Sequence, residues 1–296
     1  MTRFLRVLRS LALLIFLGAV GVLAVSPLLG PKPTAHQLRQ ELLAELQPVV
    51  LRNCTLRRFG SANDGGYLMC ENLFGNAQSA YSYGIGPTDD WGCEVSERYG
   101  LTVHQYDCFN PPRAACPGGR SVFHDECIGP RTETIDARLF DTLTNQISKN
   151  GDAGKTLIVK IDVEGAELKS LMATSNRALG RIDQLAMEIH GTNRQFLALV
   201  RRLKRTFHLV HVHYNNYACT VLKSRPLPAW AYQVLFVNKR IGVLDPTKPT
   251  PALPNALDAP DLPGAPDCQV PGLTEPEAFK TAPEDRTGTT IPGPGL

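Results

Sequence analysis

The chain has little net charge. Its 31 Lys and Arg residues and 28 Asp and Glu residues give a formal net charge of +3. No run of basic residues interleaved with aromatic residues is present, so a nucleic-acid-binding surface is not expected. None of the eight cysteines belongs to a Cys-x-x-Cys pair, which argues against a zinc ribbon. The 296 residues are enough for one sizeable domain with additional segments.

Acidic residues are missing from the first 40 positions. Three arginines in residues 3–9 precede a mostly apolar stretch over residues 11–29, close to the roughly 20 residues that cross a bilayer. Residues 1–30 are therefore predicted to be an N-terminal membrane anchor. The basic flank predicts a single-pass protein with a cytoplasmic N-terminus and a lumenal or extracytoplasmic domain. A cleaved signal peptide and a soluble segment are the alternatives, and Pro27 makes Ala24-Val25-Ser26 a poor cleavage site.

The two segments around the main domain have distinct compositions. Leucines at helical spacing between His36 and Val50 predict a linker helix within residues 31–54. Residues 243–296 hold 12 of the 23 prolines and are predicted to form a disordered tail. Eight cysteines are many for a cytosolic enzyme, and an exported domain could pair some of them.

Residues 55–242 alternate between strand-like and helical patterns, which predicts an α/β fold. The expected architecture is a mostly parallel, seven-stranded sheet with helices on both faces. The apolar strand at residues 156–161 (TLIVKI) is typical of a strand buried on both sides, and a helix is expected over residues 135–147. Ligands in such sheets bind beyond the carboxyl ends of the strands, so the residues that follow each strand are the site candidates.

The first strand of the alternation ends in Tyr83-Gly84-Ile85-Gly86, where glycines allow a ligand to approach the backbone closely. Asp89 stands where a dinucleotide fingerprint needs a third glycine, which disfavours a pyrophosphate. Asp107 follows the next strand, 21 residues after Gly86, where an acid can accept ribose hydroxyls. An ordinary turn and a capping carboxylate are the alternatives for these two features. Asp125 follows the third strand, near the expected adenine edge, although a solvated loop is equally compatible.

The segment from Lys160 to Glu167 (KIDVEGAE) follows an apolar strand and opens a helix. Asp162 is expected to point into the cleft, where Glu188 and His190 end the next strand. A histidine beside carboxylates can act as a general base, and the same groups could hold a divalent cation. Helix capping by the acids and a structural role for His190 are the alternatives.

Five motifs together resemble the methyltransferase-like protein 24 family, which is related to the FkbM-type methyltransferases. They are DGGY at 64–67, YSYGIG at 81–86, VHQYDC at 103–108, LIVKIDVEGAEL at 157–168 and QLAMEIHG at 184–191. The resemblance implies a Rossmann-like class I methyltransferase fold, S-adenosylmethionine as cofactor, and membrane attachment. It assigns Gly84 and Gly86 to the methionine-side turn, Asp107 to the ribose and Asp162 to the cleft. The chain departs from the family pattern at Ser82-Tyr83, where no acid precedes Gly84. Asp64, Asp89 and Asp90 are the possible substitutes.

The expected function is transfer of a methyl group to oxygen or nitrogen of a small-molecule, glycan or protein acceptor. His190, Glu188 and Glu164 are the candidate bases. The alternatives are a membrane-anchored binding protein that kept a degenerate methyltransferase fold without catalysis, and a metal-dependent hydrolase that uses the same carboxylates.

Overall fold

The computed structural model describes residues 32–86, 88–110, 116–220 and 227–268. Its helices and strands are α1 (Ala35–Glu45), β1 (Leu56–Gly60), β2 (Gly66–Cys70), β3 (Ser79–Tyr83), α2 (Asp90–Tyr99), β4 (Thr102–Tyr106), β5 (Arg120–His124), β6 (Cys127–Ile128), β7 (Glu133–Ile135), β8 (Arg138–Asp141), α3 (Leu143–Lys149), β9 (Leu157–Ile161), α4 (Ala166–Ala173), α5 (Asn176–Leu179), β10 (Ile182–His190), α6 (Arg194–Thr206), β11 (Phe207–Tyr214) and β12 (Ala231–Asn238).

Within these residues the central sheet has seven strands in the order β5-β4-β3-β9-β10-β12-β11. The five strands from β5 to β10 run parallel, and β12 lies antiparallel between β10 and β11. Every residue of β3, β9 and β12 is buried, because both faces of the sheet are covered. The predicted α/β fold with a mostly parallel seven-stranded sheet is confirmed at this level.

Each face of the sheet packs a separate hydrophobic cluster. One cluster joins the sheet to α1, α4 and α6 through residues that include Leu42, Leu171 and Leu199. The other joins it to α2 and the β1–β2 hairpin, with Trp91 and Phe59 among the fully buried side chains. The second face is therefore covered by a hairpin as well as by a helix, and the hairpin brings the DGGY turn toward the carboxyl end of the sheet.

Helix α1 is part of this core and does not act as a linker, which corrects the prediction for residues 31–54. Leu42 and Leu46 are fully buried. Arg201 on the basic face of α6 pairs with Glu41 at 2.8 Å and with Glu45 at 2.9 Å. The sequence shows the leucines at helical spacing, whereas the acidic partners of α6 become apparent only in three dimensions.

All eight cysteines form disulfides, in the pairs Cys54–Cys70, Cys93–Cys116, Cys108–Cys127 and Cys219–Cys268. The last pair fastens the proline-rich segment to the loop that follows β11. Asp258 and Asp267 of that segment lie 2.8 Å and 3.2 Å from His211 and His213 of β11. The prediction of a disordered tail is therefore wrong for residues 243–268, and residues 269–296 lie outside the described part of the chain.

The predicted membrane anchor at residues 1–30 also lies outside the described residues. Across the described ranges, no helix is both long enough and apolar enough to pass through a bilayer. The transmembrane prediction is corrected accordingly.

Candidate functional site

The carboxyl ends of β3, β4, β9 and β10 bring most of the predicted site residues to one edge of the sheet. Gly84 follows β3, Asp107 follows β4, Asp162 follows β9, and His190 is the last residue of β10. The amide of Asp162 donates to Tyr83 O at 3.1 Å, and the amide of Gly84 donates to Tyr106 O at 3.0 Å. The backbone ladder therefore continues one residue beyond the strands and fixes the start of each loop.

Gly84 is required by this close approach. Its φ is +68°, and a Cβ built there would lie 1.5 Å from the carbonyl oxygen of Asp162. Lys160, a buried residue of β9, donates from Nζ to the Gly84 carbonyl at 2.8 Å. Gly86 differs, because a Cβ there would meet no atom closer than Thr88 O at 3.9 Å. The turn therefore requires glycine at position 84, whereas the described residues leave space beside position 86.

Asp89 is engaged inside the protein by three hydrogen bonds. Its Oδ1 accepts from Ser82 Oγ and from the amide of Gly92, both at 3.0 Å, and its Oδ2 accepts from Gln105 Nε2 at 2.9 Å. It caps α2 and ties that helix to β3 and β4. Asp90 accepts from Ser61 Oγ at 2.9 Å. Among the possible substitutes for the missing first acid, only Asp64 is exposed and without a hydrogen bond in the described chain.

Asp107 is buried and holds its own loop together. Its Oδ1 accepts from the amides of Phe109 and Asn110 at 2.8 Å and 3.0 Å, and its Oδ2 accepts from Asn110 Nδ2 at 2.8 Å. A carboxylate has about four acceptor positions, so roughly one remains for a ligand. The capping role that the sequence left open is thus present, and it leaves room for one ribose hydroxyl.

Asp125 is exposed just beyond β5, at the outer side of the sheet, as expected for a solvated loop. The preceding His124 turns inward, stacks on Tyr106 with ring centroids 4.4 Å apart, and lies 3.0 Å from His104 between ring nitrogens. The structure does not bring Asp125 together with the other candidates.

His190 lies at the centre of a group of four carboxylates. Its Nε2 is 3.5 Å from Glu164 Oε2, 3.7 Å from Glu188 Oε2 and 3.9 Å from Asp162 Oδ1. Its Nδ1 is 3.5 Å from Oε1 of Glu167. We refer to Asp162, Glu164, Glu167, Glu188 and His190 as the acidic cluster. Glu164 is at its rim, with its side chain 76% exposed, whereas Glu188 is 5% exposed.

The charges of this cluster change its proton affinities. Burial, together with the nearby Asp162 carboxylate, raises the pKa of Glu188 to about 8. Burial disfavours the His190 imidazolium, but the carboxylates of Glu167, Glu188 and Asp162 outweigh that effect and raise its pKa to about 9. His190 is therefore protonated at neutral pH. These carboxylates hold the proton more strongly than a general base near neutrality requires, which argues against His190 as the candidate base.

Three supporting residues were not assigned a role from the sequence. Glu167 is fully buried and accepts from the amides of His190 and Gly165, both at 2.7 Å. Tyr67 Oη donates to Asp162 Oδ2 at 2.8 Å, and Asn215 Nδ2 donates to Glu188 Oε1 at 2.7 Å. Glu167 and Tyr67 stand inside motifs, whereas Asn215 lies in a loop without any sequence signal.

The backbone after β9 is also unusual. Glu164 has a φ of +51° and is followed by Gly165 at +101°. A non-glycine residue in the left-handed region costs on the order of 1 kcal/mol and concentrates at functional sites. This conformation holds the Glu164 carboxylate above His190.

No family model matches this chain, and no curated protein matches it at a significant level. The assignment of a function therefore depends on the residues and geometry described above.

Proposed function

We propose that this protein is an S-adenosylmethionine-dependent methyltransferase that acts on an oxygen or nitrogen acceptor. The observation that carries the proposal is the strand order. Numbered along the chain, the central strands lie in the order 3-2-1-4-5-7-6, with the seventh antiparallel. A doubly wound sheet ordinarily has the order 3-2-1-4-5-6. The antiparallel insertion before the sixth strand is the arrangement of class I methyltransferases, and it supports the resemblance seen in the motifs.

The residues that follow β3, β4 and β9 at the carboxyl edge of the sheet fit this proposal. When bound, S-adenosylmethionine would supply an electrophilic methyl group on a positively charged sulfonium. Gly84 and Gly86 would let its methionine part approach the backbone, with Gly86 facing open space. Asp107 retains room for one ribose hydroxyl. The carboxylates of Asp162 and Glu164 would favour a cationic ligand beside them.

Exposed aromatic side chains lie at the carboxyl edge of the sheet, and one of them, Trp230, lies beside the acidic cluster. Trp230 is 40% exposed, and its ring centroid lies 6.3 Å from that of His190. Tyr217 and Phe109, 62% and 53% exposed, follow the carboxyl ends of β11 and β4. Aromatic faces of this kind pack against flat ligands such as sugar or aromatic rings. We therefore favour an acceptor of that class.

Glu164 is the residue best placed to take a proton from the acceptor. It is the exposed carboxylate of the acidic cluster, whereas Glu188 is buried and His190 is already protonated at neutral pH. The buried members would orient Glu164 and keep the local potential negative. Methyl transfer itself needs mainly a correctly positioned nucleophile.

Four disulfides support an oxidising compartment as the place where the domain folds. We include an extracytoplasmic location in the proposal on that basis.

Calorimetry of the full chain with S-adenosylmethionine and S-adenosylhomocysteine tests the proposal. Gly86→Leu should weaken binding at least tenfold, which is about 1.4 kcal/mol, because the added side chain fills the open side of the turn. Gly154→Leu is the matched control, since no atom lies within 4 Å of its Cβ position. Absence of binding to the wild-type chain, or equal affinity in both variants, would exclude this cofactor site.

A second candidate is a binding protein that has lost catalysis. It is favoured by the missing acid of the glycine motif, because Asp89, the nearest candidate in the sequence, already accepts three hydrogen bonds that tie α2 to the sheet. Release of S-adenosylhomocysteine with a panel of sugar and phenolic acceptors distinguishes the two. Binding without release across that panel would favour the binding protein.

A further inference from the structure

Asp162, Glu188 and His190 present three ligand atoms that all lie within 4.8 Å of one another. His190 Nε2 is 3.7 Å from Glu188 Oε2 and 3.9 Å from Asp162 Oδ1. These separations are too long for hydrogen bonds. The three side chains are nonetheless largely buried, with 18%, 5% and 9% of their surfaces exposed. They converge on a common point without bonding to one another.

We propose that these three residues form a binding site for a divalent cation. Two ligands at about 2.1 Å from a metal ion, at angles of 90° to 120°, lie roughly 3.0 to 3.6 Å apart. The two separations from His190 Nε2, 3.7 Å and 3.9 Å, exceed this range by at most a few tenths of an ångström, and the ligand atoms of all three residues lie within 4.8 Å of one another. Small side-chain rotations would therefore bring all three atoms into coordination.

His190 supplies an observation independent of the carboxylates. Its side chain is 91% buried, since 9% is exposed, and neither ring nitrogen makes a hydrogen bond within the described chain. Nε2 faces the gap between Asp162 and Glu188, whereas Nδ1 faces Glu167. An imidazole that carries its proton on Nδ1, toward Glu167, keeps the lone pair of Nε2 available for a metal ion in the gap.

The surrounding residues hold each ligand in the way that metal sites require. Metal-binding histidines usually direct their second nitrogen toward a carboxylate, and Glu167 occupies that position here at 3.5 Å from Nδ1. Tyr67 fixes the second oxygen of Asp162, and Asn215 fixes the second oxygen of Glu188. In each carboxylate one oxygen is anchored and the other faces the gap.

The charge balance favours a cation as well. Four carboxylates are opposed by Lys160, whose Nζ donates to the carbonyls of Tyr83 and Gly84 and lies 3.8 Å from Asp162. A divalent ion bound to neutral His190 would reduce the remaining excess from three negative charges to one. Carboxylate-rich sites with one imidazole suit Mn²⁺ among the common ions. No thiolate competes, because all eight cysteines are disulfide-bonded.

Titration of the EDTA-treated full chain with Mn²⁺, followed by the loss of the free-ion electron paramagnetic resonance signal, tests this site. We expect one Mn²⁺ per chain, at least tenfold weaker binding in Glu188→Gln and Asp162→Asn, and a raised Tm of the wild type on Mn²⁺ addition. Asp136→Asn is the matched control, because Asp136 is an exposed acid whose left-handed backbone, with φ of 48°, asparagine also adopts. Circular dichroism confirms that the variants are folded.

Absence of Mn²⁺ and Zn²⁺ binding up to millimolar concentration would overturn the proposal. So would unchanged affinity in both site variants, which would mean that the ion binds elsewhere. The titration contains no S-adenosylmethionine, so its result does not depend on methyl transfer. Mn²⁺ binding without cofactor binding would reject the proposed function and leave the metal site intact.

Discussion

The backbone amide of His190 donates a 2.7 Å hydrogen bond to Oε1 of Glu167, a fully buried carboxylate in the first turn of α4. This bond joins the end of β10 to the helix that follows β9. The other oxygen of Glu167 accepts from the amide of Gly165. One side chain therefore sets the position of His190 and the shape of the strained loop before α4.

Glu167→Gln should destabilise the protein by about 1 to 3 kcal/mol, because an amide can accept only one of the two backbone hydrogen bonds and leaves the other donor unpaired. Urea unfolding measures this change. The variant should also lower the pKa of His190, since a nearby negative charge is lost, and NMR titration of the ring reports it. Unaltered stability and an unaltered His190 pKa would contradict the assigned role.

The stability of the metal-free protein should decrease between about pH 6.5 and 9. The folded pKa of His190, about 9, lies above its ordinary value of 6.5. The contribution of His190 to the free energy of unfolding is thus complete below its unfolded-state pKa, and it is lost as the pH rises through its folded-state pKa. Glu188, with a folded pKa of about 8, is also raised and acts in the same direction. Chemical denaturation in EDTA across this range is the measurement. Glu188→Gln should flatten the decrease, and an equally steep decrease in that variant would refute this explanation.

Truncation after residue 244 should lower the Tm by many degrees. It removes Asp258 and Asp267, which pair with the buried His211 and His213, and it breaks the Cys219–Cys268 disulfide. Loss of such a disulfide alone costs about 2 to 4 kcal/mol. Truncation after Cys268 is the control and should change the Tm little, as expected for the proline-rich composition that follows. Equal Tm values for the two truncations would show that the segment contributes nothing to stability.

Asp107→Asn should weaken S-adenosylmethionine binding about tenfold or more, by loss of a hydrogen bond to a charged acceptor. Asn110→Ala separates this effect from loop positioning. It removes the side-chain bond to Asp107 and leaves the carboxylate in place. Calorimetry of both variants should show a larger loss for Asp107→Asn. Equal losses would mean that Asp107 acts through its loop and not on the ribose.

Much of the sheet could be predicted from local sequence. The apolar strand β9 and the alternation of strands and helices around it predict a parallel sheet. The residues that follow the strands predict that the functional site lies at the carboxyl edge of this sheet. The helix predicted over residues 135–147 is confirmed over residues 143–147 and is wrong over residues 135–142. Asp136 and Ala137 adopt positive φ angles and close a hairpin between β7 and β8, and the helix begins only at Leu143. The spacing of the apolar residues over this short segment is compatible with a helix and with a hairpin.

The remaining features depend on contacts between residues that are distant in the chain. Asp258 and Asp267 look like solvated acids of a proline-rich tail until their histidine partners on β11 are known. The cysteine pairing could not be deduced from spacing. Glu167 resembled an ordinary acid in the first turn of a helix, and only the position of His190, 23 residues later, reveals its function.

The Cys219–Cys268 disulfide closes a covalent ring that contains β12, the strand inserted between β10 and β11. During synthesis this ring cannot close until residue 268 has been added, well after β12 itself. A chain that stops earlier would keep Cys219 as an unpaired thiol. That thiol would distinguish an interrupted chain from one that reaches residue 268 by a single reactive group, independently of the shape of the fold.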